Sequence, residues 1–360
     1  MVIGSHPRIA YIIDEFPPTD DRHLAGELVE LERFGLEPSV FAVRKGLSWI
    51  AARVQSGAIE HLHAASAGPA ARLASKIARA TQTSYSFSAD GRHLAGGVGA
   101  RNDLTALVRD AAFVVARSDA VRGKLAETCA PDALVRVCRV YHGIDATSLP
   151  FCEEQARRAD ALLAVTGPVH DDVEDVLTAM GSLARRRPSA QLTIIAPAGA
   201  EARIRREATR RGVAAMLTVI CAPTEEIRQN LLRTHTLLAA PWTATAVAGE
   251  VPALFLEAMA LGLPVITSDL GGIREAIEDG WTGRLVAPGD PLWLAGAMET
   301  LLDNPRLRDR MGHAARERVE RDFSSTRNAA LLAQLFDRRP APVAAVGSGN
   351  RNRLKRVGRR

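Results

Sequence analysis

The residues best placed to do chemistry lie between Gly249 and Asp290, in the run GEVPALFLEAMALGLPVITSDLGGIREAIEDGWTGRLVAPGD. Pro252 stands at the start of a helix over Ala253 to Ala260, where its missing N–H costs nothing, and Gly262 ends that helix. Free amides at a helix start attract a phosphate. Glu257, one turn in, is set to accept hydrogen bonds from ribose hydroxyls. Gly271 and Gly272 let the backbone come close to a ligand, because neither carries a Cβ.

These residues need a scaffold, and the chain supplies one by alternating strand-like and helix-like segments. Arg8 to Ile13 reads as a strand, and His23 to Phe34 as a helix with Leu24, Leu28 and Leu31 on one face. Strands follow at Ser39 to Val43, Ser84 to Ser88, Ala111 to Ala116 and Val135 to Tyr141, with a helix at Pro69 to Ala80. Gly143 to Asp160, with Pro150 and a polar run, reads as a connector. The alternation then restarts: strands at Ala161 to Val165, Gln191 to Ile195, Leu217 to Ile220, Leu237 to Ala240 and Pro264 to Thr267, separated by helices. Three helices close the series, at Leu292 to Leu302, Arg306 to Arg321 and Thr326 to Phe336. Apolar strands alternating with helices imply parallel sheets covered on both faces. Two such series imply two doubly wound domains, with ligands bound where strand C-termini face the cleft between them.

Composition narrows the class further. The 360 residues are 47 % hydrophobic and 24 % charged, the balance of a folded protein, and only 4 % are aromatic. The net charge of +5 is misleading, because residues 338–360 hold eight basic residues and no acidic one. Setting them aside leaves 38 Lys and Arg against 41 Asp and Glu, a net −3. The body is therefore mildly acidic, and nucleic-acid binding is not expected of it. The tail suits a phosphate-rich surface, either anionic lipid or nucleic acid, or is simply a solvated end. The four cysteines show no metal or redox spacing, so a reduced, cytoplasmic protein without a metal site is expected, at most peripheral at the inner face of a membrane. No signal peptide is read at the N-terminus, and prolines divide the apolar stretch 236–268 into pieces too short to span a bilayer.

The Gly249–Asp290 run resembles the retaining glycosyltransferases of family four, which have two Rossmann-like domains facing across a cleft in the GT-B arrangement. The resemblance rests on Glu257-Ala-Met-Ala-x-Gly-x-Pro-Val-Ile, then Gly271-Gly-Ile with Glu275, then Asp-Gly-x-Thr-Gly around Gly280 to Gly283. Asn304-Pro and Phe323-Ser324 look like the family's closing crossover helices. Asp14-Glu15-Phe16-Pro17 looks like the start of exopolysaccharide and colanic-acid-type members, and Tyr141-His142-Gly143-Ile144-Asp145 stands in place of the usual Asn-Gly-Val-Asp. The resemblance implies an acceptor domain over residues 1–150, a nucleotide-sugar domain over 151–323, a crossover helix over 324–337 returning to the first domain, and a basic tail over 338–360.

It also implies roles. Glu257 matches the family's ribose-holding Glu, and Pro252, Ala253, Thr166, Gly167 and Gly271 to Ile273 fall at the donor's diphosphate and sugar. The family's first Glu, which reaches the sugar, should stand at position 249. Here Gly249 and Glu250 have exchanged that order, leaving Glu250 as either a bulged replacement or an ordinary surface residue. Asp90 and His93 stand on the acceptor side with the family's His and acid interchanged. The basic clamp on the diphosphate is missing, since Val165-Thr-Gly-Pro-Val-His-Asp-Asp-Val173 has neither Arg nor Lys. One such electrostatic contact is worth about 3–4 kcal/mol of barrier. The expectation is a retaining glycosyltransferase taking a UDP- or GDP-linked sugar to a glycan or lipid-linked acceptor in surface polysaccharide synthesis, without metal or other cofactor. The alternative is a catalytically inactive homologue serving as a binding or scaffold subunit.

Overall fold

The computed structural model describes residues 7–14, 22–45, 47–89, 91, 94, 98–158, 160–165, 171–242 and 249–338. The first half runs β1 (Ile9–Ile13), α1 (Arg22–Arg33), β2 (Ser39–Ala42), α2 (Leu47–Gln55), β3 (His61–Ala64), α3 (Pro69–Thr81), β4 (Ser84–Ala89), α4 (Val98–Asp110), β5 (Val114–Ala116), α5 (Asp119–Thr128), α6 (Pro131–Leu134) and β6 (Val137–Arg139). The second runs β7 (Ala161–Val165), α7 (Asp171–Ala184), β8 (Gln191–Ala196), α8 (Glu201–Arg210), β9 (Leu217–Cys221), α9 (Glu225–Thr234), β10 (Leu237–Ala240), α10 (Ala253–Ala260), β11 (Val265–Ser268) and β12 (Arg284–Val286). Three helices follow: α11 (Pro291–Asp303), α12 (Pro305–Asp322) and α13 (Ser325–Asp337).

Each half builds one six-stranded sheet, and every strand pair is parallel. The orders are β2-β1-β3-β4-β5-β6 and β12-β11-β10-β7-β8-β9. Both are Rossmann-like doubly wound orders, and each reverses direction once, beside β1 in the first sheet and beside β7 in the second. In such sheets ligands sit at the carboxyl ends of the strands flanking the reversal. In the second sheet that point lies between β7 and β10, where the Trp242 indole donates to the Val165 carbonyl at 2.9 Å. Residues 15–21, 166–170 and 243–248, which follow β1, β7 and β10 along the chain, fall outside the described residues.

Burial follows the sequence pattern. Every residue of β1 is buried, and Leu24 and Leu31 of α1 join its cluster, as their spacing predicts. Helix starts are set by short polar side chains: Ser118, Thr224, Asp290, Asn304 and Ser324 each accept from the amide three residues on. The stretch 236–268 resolves into β10, α10 and β11, with seven of the eight α10 residues buried. No helix among the described residues is long and apolar enough to cross a membrane.

The polar connector between the sheets is held by two arginines, Arg157 buried and Arg316 half-buried. Arg157 donates to the carbonyls of Leu232, His235 and Leu261, and Arg316 of α12 to those of Ala146 and Ala260. The chain then returns to the first half. Ala329, Leu332, Ala333 and Phe336 of α13 pack in one cluster with Ile9, Tyr11 and Leu31. Gly143 marks the crossing, where a Cβ would stand 2.5 Å from the Ser325 Cα.

His61 and His63 occupy the first and third positions of β3 and are buried inside the sheet. Their rings alternate with the hydroxyls of β4. Ser84 and Ser86 flank His61 at 2.7 Å each, and Ser86 and Ser88 flank His63 at 2.7 and 3.1 Å. Parallel pairing in register aligns the odd positions of β3 with the even positions of β4, so one face carries a continuous polar ladder. Phe113 and Phe336 cover it.

Candidate active site at the domain interface

Glu257 sits within α10 and is 8 % exposed. A carboxylate this deep needs a partner, and Arg228 of α9 provides it through a direct ion pair while also holding Glu225. Arg228 is itself 5 % exposed. The sequence reading missed this arginine, because nothing in local spacing connects the middle of α9 to the middle of α10. The parallel sheet brings them together.

Glu257 and Ala253 line one wall of a cavity of about 360 Å³ that also touches Gln229 of α9. The opposite wall belongs to the first half, with His23, Gly26 and Glu30 of α1, and Asp145 closes the connector side. The volume falls in the range of small-molecule sites. Pro252 precedes α10 in an extended conformation, so the amides at the start of α10 have no side-chain cap, as the sequence leads one to expect.

Glu250 lies in the turn before α10, and its Oε2 is 3.9 Å from Nε2 of His142. The His142 ring stacks on His23 at 4.4 Å, with 12° between the planes. Gly249 has φ +90°, a left-handed conformation that disfavours side chains, and its carbonyl accepts from the Ser118 hydroxyl at 2.6 Å. The exchanged Gly-Glu order thus places glycine where the turn requires it. Gly272 packs against the same turn so tightly that a Cβ would stand 2.0 Å from the Gly249 oxygen. Gly271 is exposed, whereas Ile273 is wholly buried. Asp90, His93, Thr166 and Gly167 lie outside the described residues.

Across the cleft, Arg117 is buried at the carboxyl end of β5. It makes a two-pronged bond to Glu27 of α1, at 2.7 and 3.0 Å, and donates to Ser88 at 2.8 Å. Tyr11 donates to the same Glu27 at 2.8 Å. Burial works against the Arg117 charge, but the Glu27 carboxylate outweighs it and holds the guanidinium above its ordinary value. Burial, and then Glu27, push the Tyr11 hydroxyl up. This set was not named from the sequence, which carries no signal linking residues 11, 27 and 117.

The sequence shows no metal-ligand spacing, yet Glu153, Asp309 and His313 each bring a ligand atom within 4.8 Å of the others. Asp309 and His313 are four residues apart on α12, and the connector contributes Glu153. Only the third dimension assembles this surface group.

With this geometry in hand, the likeness to known proteins is informative. Residues 168–318 match the family described as glycosyl transferases group 1. The chain is 29 % identical over 248 residues to a glycogen synthase of Mycobacterium tuberculosis, a match covering 66 % of this chain and 58 % of that protein. It therefore spans little more than half the length of that relative. Among solved structures it resembles HepE of Anabaena in complex with UDP-glucose, with TM-score 0.73 and 15 % identity over 91 % of this chain and 99 % of that one. It also resembles sucrose-phosphate synthase from Thermosynechococcus elongatus, with TM-score 0.75 and 16 % identity over 92 % and 98 % of the two chains. At such identities the structures establish the fold, a GT-B pair of Rossmann-like domains. The sequence matches support the group 1 glycosyltransferase family.

Proposed function

We propose that the chain is a group 1 glycosyltransferase that moves a hexosyl group from a nucleotide-sugar donor to a glycan or lipid-linked acceptor, with retention at the anomeric carbon, in surface polysaccharide assembly. The observation that carries this reading is Glu257, buried in the wall of a cavity between the two domains with its carboxylate held by Arg228. In this reading Glu257 accepts from the ribose hydroxyls. The uncapped start of α10 and the Gly271–Ile273 segment receive the diphosphate and sugar. The bond from the anomeric carbon to the diphosphate breaks as the acceptor oxygen bonds to that carbon on the same face. The acceptor proton passes to the departing phosphate oxygen. In the same reading Glu250 serves the sugar, and Asp90 and His93 serve the acceptor. No metal enters. UDP-linked donors come first for testing because HepE is solved with UDP-glucose, and GDP-linked donors come next. The basic tail adds a peripheral contact with anionic membrane.

The test is calorimetric titration of the folded protein with UDP, GDP and ADP, repeated on Glu257→Ala. Micromolar binding that the substitution abolishes supports a working donor site and directs a screen of donor sugars. Absence of binding by any of the three overturns the enzyme reading. One observation would then favour the inactive, partner-binding homologue: residues 165–173 contain no Arg or Lys to neutralise a departing diphosphate.

A further inference from the structure

Glu275 belongs to the second domain, two residues beyond Ile273, yet its carboxylate ends on the first. Oε2 accepts the Asp119 amide at 2.7 Å and Oε1 the Ala120 amide at 2.8 Å, both in the first turn of α5. The ten-residue α5 presents unsatisfied amides and partial positive charge at that end. A carboxylate bonded to two such amides forms charge-assisted bonds, about twice as strong as neutral ones. Ser118, the N-cap of the same helix, meanwhile donates to the Gly249 carbonyl at 2.6 Å.

The α5 start therefore grips two segments of the second domain at once, one ahead of Glu250 and one behind Gly271–Ile273. The two segments are also locked to each other by the contact between Gly272 and the Gly249 carbonyl. Glu275 is fixed from its own side, where Arg318 of α12 donates to its carbonyl at 2.7 Å. Burial, and then the Glu275 carboxylate, push the Tyr141 hydroxyl up. The Arg139 guanidinium lies 4.3 Å over the Tyr141 ring.

We infer that Glu275 is a positioning residue: by capping α5 across the cleft it holds Glu250 and the Gly271–Ile273 segment against the first domain. Glu275 does not line the cavity beside Glu257, so its effect reaches the site through these segments rather than by contact. The catalytic consequence rests on the glycosyl-transfer reading, whereas the clasp itself does not.

The experiment is hydrogen exchange on the full chain, with Glu275→Ala and the milder Glu275→Gln beside the unsubstituted protein. Glu275→Ala is expected to speed exchange of the Asp119 and Ala120 amides at least tenfold while leaving the Cys129 amide, at the far end of α5, unchanged. Glu275→Gln, which keeps one acceptor oxygen, should fall between. UDP should still bind, because the ribose site is intact, with its affinity weakened by clearly less than kcat, which falls at least tenfold at saturating donor. Unchanged exchange at Asp119 and Ala120 in both variants overturns the clasp. Loss of exchange protection along all of α5, or loss of UDP affinity together with kcat, overturns the positioning role in favour of a merely structural one. If the unsubstituted protein binds no nucleotide, the function reading falls while the exchange comparison still decides the clasp.

Discussion

Arg228 and Glu257 form an ion pair between the middles of two helices, with side chains only 6 % and 11 % exposed, at the wall of the interdomain cavity. Removing one partner of a buried pair leaves the other charge without compensation and costs about 3–5 kcal/mol. Arg228→Ala, which would also remove the guanidinium that pairs with Glu225, should destabilise the protein by that order. Glu257→Gln should cost less, because Arg228 keeps Glu225. Urea unfolding of both single variants and the double variant checks this, and strong non-additivity is expected. Purely additive losses would show that the two side chains act independently.

The buried ladder in the first sheet makes stability depend on acid. Burial lowers His61 from its usual value near 6.5 to about 3, and burial, followed by the Arg117 charge, lowers His63 well below it. Between pH 6.5 and 3 the unfolded chain therefore binds protons that the folded chain refuses, so stability falls as pH drops through that window. Each ring contributes at most about 1.4 kcal/mol per pH unit. Urea midpoints measured from pH 7.5 to 4.5 should fall steadily, and His61→Asn should flatten the slope. A slope unmoved by that substitution would mean other groups set the acid limit.

Gly272→Ala should disturb the site without touching Glu257. The new methyl would meet the backbone of Gly249, which has no side chain to swing aside. Overpacking of this kind costs about 1–3 kcal/mol, here directed at the turn carrying Glu250. A lowered melting temperature with weakened UDP affinity and reduced sugar transfer is the expected result. A neutral substitution would show that this turn yields easily.

Deleting residues 338–360 removes eight basic residues at once. Sedimentation with phosphatidylserine vesicles should show salt-sensitive binding by the full chain and little by the truncated one, since each Lys or Arg near an anionic surface contributes about 1 kcal/mol. Binding that survives the deletion would place the membrane contact elsewhere.

The sequence alone determined the two alternating series, because hydrophobic runs and helical spacing are local properties. Strand Ala161–Val165, strand Leu237–Ala240 and helix Ala253–Ala260 were legible to the residue, and the Gly249–Asp290 run could be marked as the stretch where chemistry is expected. Short segments were harder. Helix Leu47–Gln55 and strand Arg284–Val286 carry too few residues with clear periodicity to stand out. Partnership was what only the tertiary structure decided. Arg228 meets Glu257 across 29 positions, Arg117 meets Glu27 across 90, and Glu275 meets Asp119 across 156. The physical reason is that a charge buried in a parallel α/β fold must find its counter-charge where strand ends and helix starts converge. Sheet order and domain docking set that convergence, and neither is written in the spacing of neighbouring residues.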